Sequence, residues 1–209
     1  KYMRAIDDLI DFHKSAHTVI SADERQQFMQ SVQEWIDMAH RSASGNAGMA
    51  AEAGDAHELM LTIRDFHIPV WPLEAFARSM VYDIDHTGFE TVESFIAYAQ
   101  GASVAPASIF VHLSGLQATG NGYAPPPFDV RWAATPCAMF SYLVHIIRDF
   151  QKDQQHNLNY FADDAMARNG LTAEDLKRMG HGAAIMPGFR SMIREYMVSP
   201  TSTVKTPMR

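Results

Sequence analysis

A single cysteine, Cys137, in 209 residues leaves nothing for an internal disulfide or a paired-cysteine zinc site. The fold therefore rests on packing and suits a reducing compartment such as the cytoplasm. Clustered lysine and arginine are also missing: the formal charge is -7, and without a basic run there is no broad surface for nucleic acid. No run of about 18 apolar residues occurs. The most apolar segment, ASVAPASIFVHLSGL (102–116), is interrupted by Pro106, His112 and serines, so a membrane-spanning helix is not expected. GxGxxG, GxxxxGK[ST] and GxSxG are absent, which removes the usual signals of dinucleotide binding, P-loop hydrolysis and serine hydrolases. An acidic chain of this kind can handle anionic substrates only through metal ions or a few placed arginines.

What is present is helical periodicity, with no stretch that alternates at period two for long enough to be a strand. With 47% of its residues hydrophobic, the chain is expected to build one core, and residues 1–209 are read as a single all-α domain, a helical bundle. Ser21 and Glu24 in SADE have capping-box spacing and should open a helix through RQQFMQSVQEWIDMAHR. GNAGMAAEAGDA (45–56) reads as a small-residue loop. A helix through HELMLTIRDFH should end near Pro69, and Pro72 suits the first turn of the next. Another helix is expected over about 91–116, followed by the linker TGNGYAPPPFD (119–129). A helix from near Arg131, bent at Pro136, should run past Asp153; a shorter one starts at TAED (172–175), and a last one precedes Pro200.

The chemistry concentrates in two acidic stretches. In VHIIRDFQKDQQHNLNYF (144–161), Asp149 and Asp153 lie four residues apart, in line with His145. Phe140, Leu143, Val144, Ile147 and Phe150 make an apolar stripe on the same helix. A lone DxxxD on an amphipathic helix is ordinarily a solvated face. The pattern recurs, however, in RAIDDLIDFH (4–13), where Asp7 and Asp11 repeat the spacing, Asp8 lies beside them, and Arg4 stands close by as Arg148 does in the second stretch. Two such faces across a bundle suit Mg²⁺, which takes one or two carboxylates per ion and completes its shell with water and substrate phosphates. A diphosphate leaving group needs its developing charge neutralised by metal ions and arginine, and its carbon skeleton needs an apolar pocket. Tyr98, Gly101 and Ser103 on 94–113 are candidates to line that pocket. Equally, the small residues there could simply let helices pack closely.

Two other constellations fail on their chemistry. DIDHTGFETVES (83–94) imitates a calcium loop at Asp83, Asp85, Thr87 and Gly88, but Ser94 stands where the bidentate Glu must be, and Glu90 where an apolar residue belongs. His13 and His17 have metal-ligand spacing without a third ligand.

Taken together, the two acidic stretches make the chain resemble the squalene/phytoene synthase family. DDLID (7–11) is similar to the family's first aspartate-rich motif, often DELVD, and IIRDFQKD (146–153) to its second, NILRDxxxD. HIPVWPLEAFARSMVYDIDHTGFETVESFIAYAQGAS (67–103) is similar to the segment in which a DL step precedes a YxxxxELxxYCxxVAG stretch, with Tyr98 on the YC tyrosine. Order and spacing match over most of the chain.

The resemblance implies an isoprenoid-synthase bundle with a central apolar cavity and Mg²⁺-dependent, head-to-head condensation of two C15 or C20 prenyl diphosphates. One substrate ionises, its carbocation attacks the other's double bond, and a cyclopropyl intermediate rearranges or loses a proton. Asp7, Asp8, Asp11, Asp149 and Asp153 would hold two or three Mg²⁺ ions, and Arg4 and Arg148 would contact diphosphate. Tyr98, Ser103, His145 and Tyr160 would meet substrate. His145 replaces the family's Asn, Tyr142 replaces a Gln, and Leu158 replaces an arginine of the RGRIYLP-like stretch, while Tyr160 is kept. By family standards the helix before the first motif and part of the C-terminal helices are missing, so a partner chain or a longer protein would complete the wall. Two alternatives stay open: the enzyme, and a non-catalytic relative that acts in assembly. Use of NADPH and the oligomeric state are not set by these residues, and peripheral membrane contact is expected only because such products are lipids.

Overall fold

Ser21 opens the first helix as its spacing requires. Its hydroxyl accepts the Glu24 N–H at 3.2 Å, while the Glu24 carboxylate accepts the Ser21 N–H at 2.9 Å. In the computed structural model, which describes residues 3, 20–44, 55–85 and 88–202, this is α1, Ala22–Ala43. There follow α2 (Asp55–Asp65), α3 (Trp71–Asp85), α4 (Val92–Ala99), a π turn (Gln100–Val104) and α5 (Ala105–Ser114). The long α6 (Val130–Gln155) leads to α7 (Asp163–Arg168), α8 (Ala173–Gly180) and α9 (Pro187–Ser202). The second expected capping box, Thr172 with Asp175, opens α8.

The all-α reading holds, with local departures. A hairpin of β1 (Gln117–Thr119) and β2 (Gly122–Ala124) begins just before the stretch read as a plain linker and extends into it, seated by Tyr123 against Phe66 with ring centroids 5.3 Å apart. Six residues of α7 were not foreseen, and α9 continues through Pro200 rather than stopping before it. Pro136 lies inside α6. Pro106 does not interrupt its helix, because it falls in the first turn of α5, where its missing N–H costs nothing. Val92–Ser114 is consequently one helical run of 23 residues, with a window of mean hydropathy 1.3, long and apolar enough to cross a membrane by length and composition. That revises the expectation drawn from the serines and Pro106.

Two apolar clusters make the core. One joins α1, α2 and α3 through Phe28, Trp35, Ile63, Phe76 and Met80. The other joins α4, α6, α8 and α9 through Phe95, Leu143, Ile146, Phe150, Leu176 and Met192. On α6 the buried stripe is Ala138, Leu143, Ile146, Phe150 and Gln154. Phe140 and Val144, expected on the apolar side, are 56% and 43% exposed. The α6 helix is thus rotated so that its acidic stripe borders the core instead of opposing it.

The clusters meet at the π turn, which packs on α3, α5 and α6. A Cβ at Gly101 would lie 2.1 Å from Ser79 Oγ and 2.2 Å from the Ala75 carbonyl oxygen, so only glycine allows α3 this close. Gly101 therefore serves helix packing, not the lining of a cavity. The π turn shifts the local hydrogen-bond ladder, and Ser79 Oγ donates to the Tyr98 carbonyl at 2.9 Å. Ser103 Oγ donates across to the Ala138 carbonyl at 3.0 Å. Gly101→Ala should destabilise the protein by about 3 kcal/mol, because a backbone carbonyl must move. Gly120→Ala, with nothing within 4 Å, should change stability by under about 0.5 kcal/mol. Urea denaturation of both variants checks this, and equal stabilities would show that the helices are not locked at Gly101.

Candidate functional site

At about 100° per residue, Tyr142, Asp149 and Asp153 fall within roughly 40° of one another on α6. All three are half-buried, so a ring and two carboxylates share the seam between core and solvent. Asp149 is gripped by its neighbour: Arg148 Nε and Nη2 donate to Oδ1 and Oδ2, each at 2.7 Å. Those charge-assisted bonds, with smaller contributions from His145 and Lys152, hold the Asp149 carboxyl below the usual carboxylate range. His145 is exposed and reaches the site only as a nearby charge.

The α6 helix ends at Gln155, within a turn of Asp153. The Leu158 N–H donates to the Asp153 carbonyl at 2.8 Å and the Asn157 N–H to the Gln154 carbonyl at 3.2 Å, with Asn157 at φ 56. This is a Schellman cap with Asn in the left-handed position. It turns the chain back so that Tyr160 packs edge-on to Tyr142, with centroids 6.4 Å apart. Leu158, at the position where the resemblance leads one to expect arginine, serves this turn.

Tyr98 lies deeper, 8% exposed. Its ring packs against Tyr82 at 5.5 Å and Phe89 at 5.1 Å, and its hydroxyl donates to Asp83 Oδ2 on α3 at 2.7 Å. Burial pushes the Tyr98 hydroxyl well above its ordinary value, with the neighbouring Tyr142, Asp83 and Tyr160 adding to it. Beside this group, a cleft of about 820 Å³ opens between the 88–94 and 157–163 segments, lined by Tyr82, Phe89, Glu90, Ser94, Asn157 and Asn159 among others. It is open, and none of the expected site residues lines it.

The structure therefore brings together one half of the expected site. Tyr98, Tyr142 and Tyr160 gather on the side of α6 that carries Asp149 and Asp153, and Arg148 caps Asp149. Ser103 is spent on the Ala138 carbonyl. Arg4, Asp7, Asp8 and Asp11, like His13 and His17, lie outside the described residues. Among the described residues no group of three or more His, Cys, Asp or Glu could hold a metal ion. The Asp149–Asp153 pair has the oxygen donors and the half-exposure that Mg²⁺ accepts, and it fits one side of a shared site. Asp83 was considered in the sequence only as part of a failed calcium loop. It is instead in the last turn of α3, and its signal was its position one turn of helix away from the loop that leads to Tyr98.

The family model for squalene/phytoene synthase matches residues 1–198. No curated protein matches the chain.

Replacing Arg148 with Gln should raise the titration of Asp149 toward the ordinary 3.8. The lowered value means that the pair contributes to stability above that pH and that its contribution is lost as pH falls through the Asp149 titration. Carboxyl-carbon NMR shifts followed through acid titration check this. An Asp149 titration that Arg148→Gln leaves unmoved would mean the pair does not form in solution.

Proposed function

The chain belongs to the squalene/phytoene synthase family, and from that premise we propose that it is a Mg²⁺-dependent prenyltransferase joining two C15 or C20 prenyl diphosphates head to head. The observation that carries the reading is the order of groups on one face of α6. The Asp149 and Asp153 carboxylates share that face with Tyr142, about two turns nearer the helix start, and Tyr142 belongs to an aromatic group that continues through Tyr160 and Tyr98. A diphosphate and its carbon chain need these two environments in this order.

Bound Mg²⁺ would supply the positive charge that lets the carbon–oxygen bond break. Asp149 and Asp153 would hold it from this helix, with Asp7, Asp8 and Asp11 opposite. Arg148 is exposed on a long side chain and, among the described residues, pairs with its own neighbour, so it can turn from Asp149 to the diphosphate as the carboxylate charge is taken up elsewhere. Arg4 would act likewise from the first motif. The rings of Tyr142, Tyr160 and Tyr98 present π faces that favour a positively charged carbon, and they exclude water that would trap it. The product would be squalene-like or phytoene-like, released in a reducing compartment and handed to a membrane because it is a lipid. A non-catalytic assembly role is the competing reading, motivated by Leu158 and His145 in place of arginine and asparagine.

Incubation of the folded protein with Mg²⁺ and farnesyl or geranylgeranyl diphosphate should release diphosphate, and EDTA should stop the release. Asp149→Ala should lower the rate by about 100-fold or more, as expected for loss of a charge-stabilising ligand. No release from the folded, full-length protein with either substrate would rule out the enzyme and leave the assembly role.

A further inference from the structure

Among the tyrosines whose hydroxyl partner is known, Tyr98 differs from the rest. The Tyr82 hydroxyl donates to the Gly88 carbonyl at 2.8 Å, and Tyr196 Oη accepts the Ala162 N–H at 2.6 Å. Neither partner can take up a proton. Tyr98 alone of these donates to a carboxylate, Asp83 Oδ2, at 2.7 Å. Because its proton points at Asp83, the lone pairs of the Tyr98 oxygen are directed elsewhere, and among the described residues that oxygen accepts no hydrogen bond. The pair is held firmly. Ser79, one turn before Asp83 on α3, fixes the Tyr98 carbonyl, and Gly101 locks the same two helices.

We propose that Asp83 is the positioning residue and final proton acceptor for the ring-closing step of the condensation, acting through Tyr98. The proposal rests on the prenyltransferase reading above. Once the ionised prenyl carbon has bonded to the second substrate's double bond, a tertiary carbocation remains. The C–H bond of the newly joined carbon, two positions from the cationic centre, breaks; its electron pair closes the three-membered ring onto that centre, and the proton passes to Tyr98 Oη. Tyr98 gives its own proton along the existing hydrogen bond to Asp83 Oδ2, so the tyrosine stays neutral throughout and Asp83 ends as the acid. Water takes the proton from half-exposed Asp83 before the next turnover. A buried phenol held protonated is a poor base alone; coupled to a carboxylate it accepts a proton without ever carrying a negative charge. Among the described residues, ionisable groups that act on the pair include Tyr142 and Tyr160, with Tyr82 and Glu90 beyond.

The experiment compares the unmutated protein with Asp83→Asn, Asp83→Glu and Tyr98→Phe, using Mg²⁺ and farnesyl diphosphate with and without deuterium at C1. Diphosphate, ring-closed product and the coupled alcohol formed when water traps the unclosed cation are measured together. Asp83→Asn should keep diphosphate release within about 3-fold while ring-closed product falls by about 100-fold, the scale of lost general-base catalysis, and the alcohol rises in its place. Asp83→Glu should recover part of the ring closure, whereas a purely structural role would favour the near-isosteric Asn over the longer Glu. Deuterium should shift the split in Asp83→Asn further toward alcohol, which ties the loss to C–H cleavage. Equal loss of release and ring closure in folded Asp83→Asn, or ring closure unchanged, overturns the role of Asp83 and leaves the prenyltransferase intact. Should Asp83→Asn fail to fold, Tyr98→Phe, which keeps the packed ring, decides in its place: an unchanged split between product and alcohol overturns the proposal. If the unmutated protein releases no diphosphate, both readings fall.

Discussion

The close approach of α3 to the π turn at Gly101 is the constraint on which the rest of the structure depends. A helix with a side chain there would stand off by the width of a methyl group, since the Ala75 carbonyl already occupies that space. Three bonds then become available in sequence: Ser79 to the Tyr98 carbonyl, the Tyr98 hydroxyl to Asp83, and Ser103 to the Ala138 carbonyl of α6. The first two tie α3 to α4, and the third brings in α6. Small residues at Ala99, Ala105, Ala134 and Ala138 extend the contact, trading side-chain burial for backbone proximity. The two apolar clusters become one body at this joint, and the tyrosines acquire fixed positions relative to α6.

Placed this way, α6 serves two incompatible solvents. Leu143, Ile146 and Phe150 are buried among Phe95, Phe161 and Phe189, where a carboxylate would be prohibitively costly. Asp149 and Asp153 escape that cost because they sit at the edge of the buried stripe, half in water, with Arg148 compensating Asp149. The same edge position keeps them within reach of whatever occupies the aromatic side. Beyond Asp153, the Asn157 turn does what an arginine-bearing loop is expected to do in the resembling family only in part: it returns Tyr160 to the site, but it offers asparagines where a cation would stand.

Much of the fold was legible because it is governed by local chemistry. The capping boxes at Ser21 and Thr172, Pro72 in a first turn and the DxxxD spacing each involve groups within four residues of one another, so sequence distance and spatial distance agree. The misreadings share the opposite property. Phe140 and Val144 looked like core because they are apolar at helical spacing, yet which face of an amphipathic helix is buried depends on the neighbours it meets. Pro106 looked like a break because its compatibility with a first turn depends on the π turn just before it. Gly101 stayed open between lining a cavity and packing helices, because nothing local reveals that a carbonyl of α3, 26 positions earlier in the chain, lies against it.

By itself, the sequence determined an all-α chain, the positions of most helices, the four-residue spacing of Asp149 and Asp153, and a family relationship borne by motifs in the correct order. These follow from backbone periodicity and side-chain type, which need no partner to be expressed. Tertiary structure alone decided that Tyr98 would point its proton at Asp83, that Tyr142 and Tyr160 would meet ring to edge, and that Ser103 would be spent on packing. Each of those outcomes joins residues from different helices, and a hydrogen bond or ring contact between helices exists only once their separation and rotation are fixed to within a fraction of an ångström, here by the absence of a side chain at Gly101.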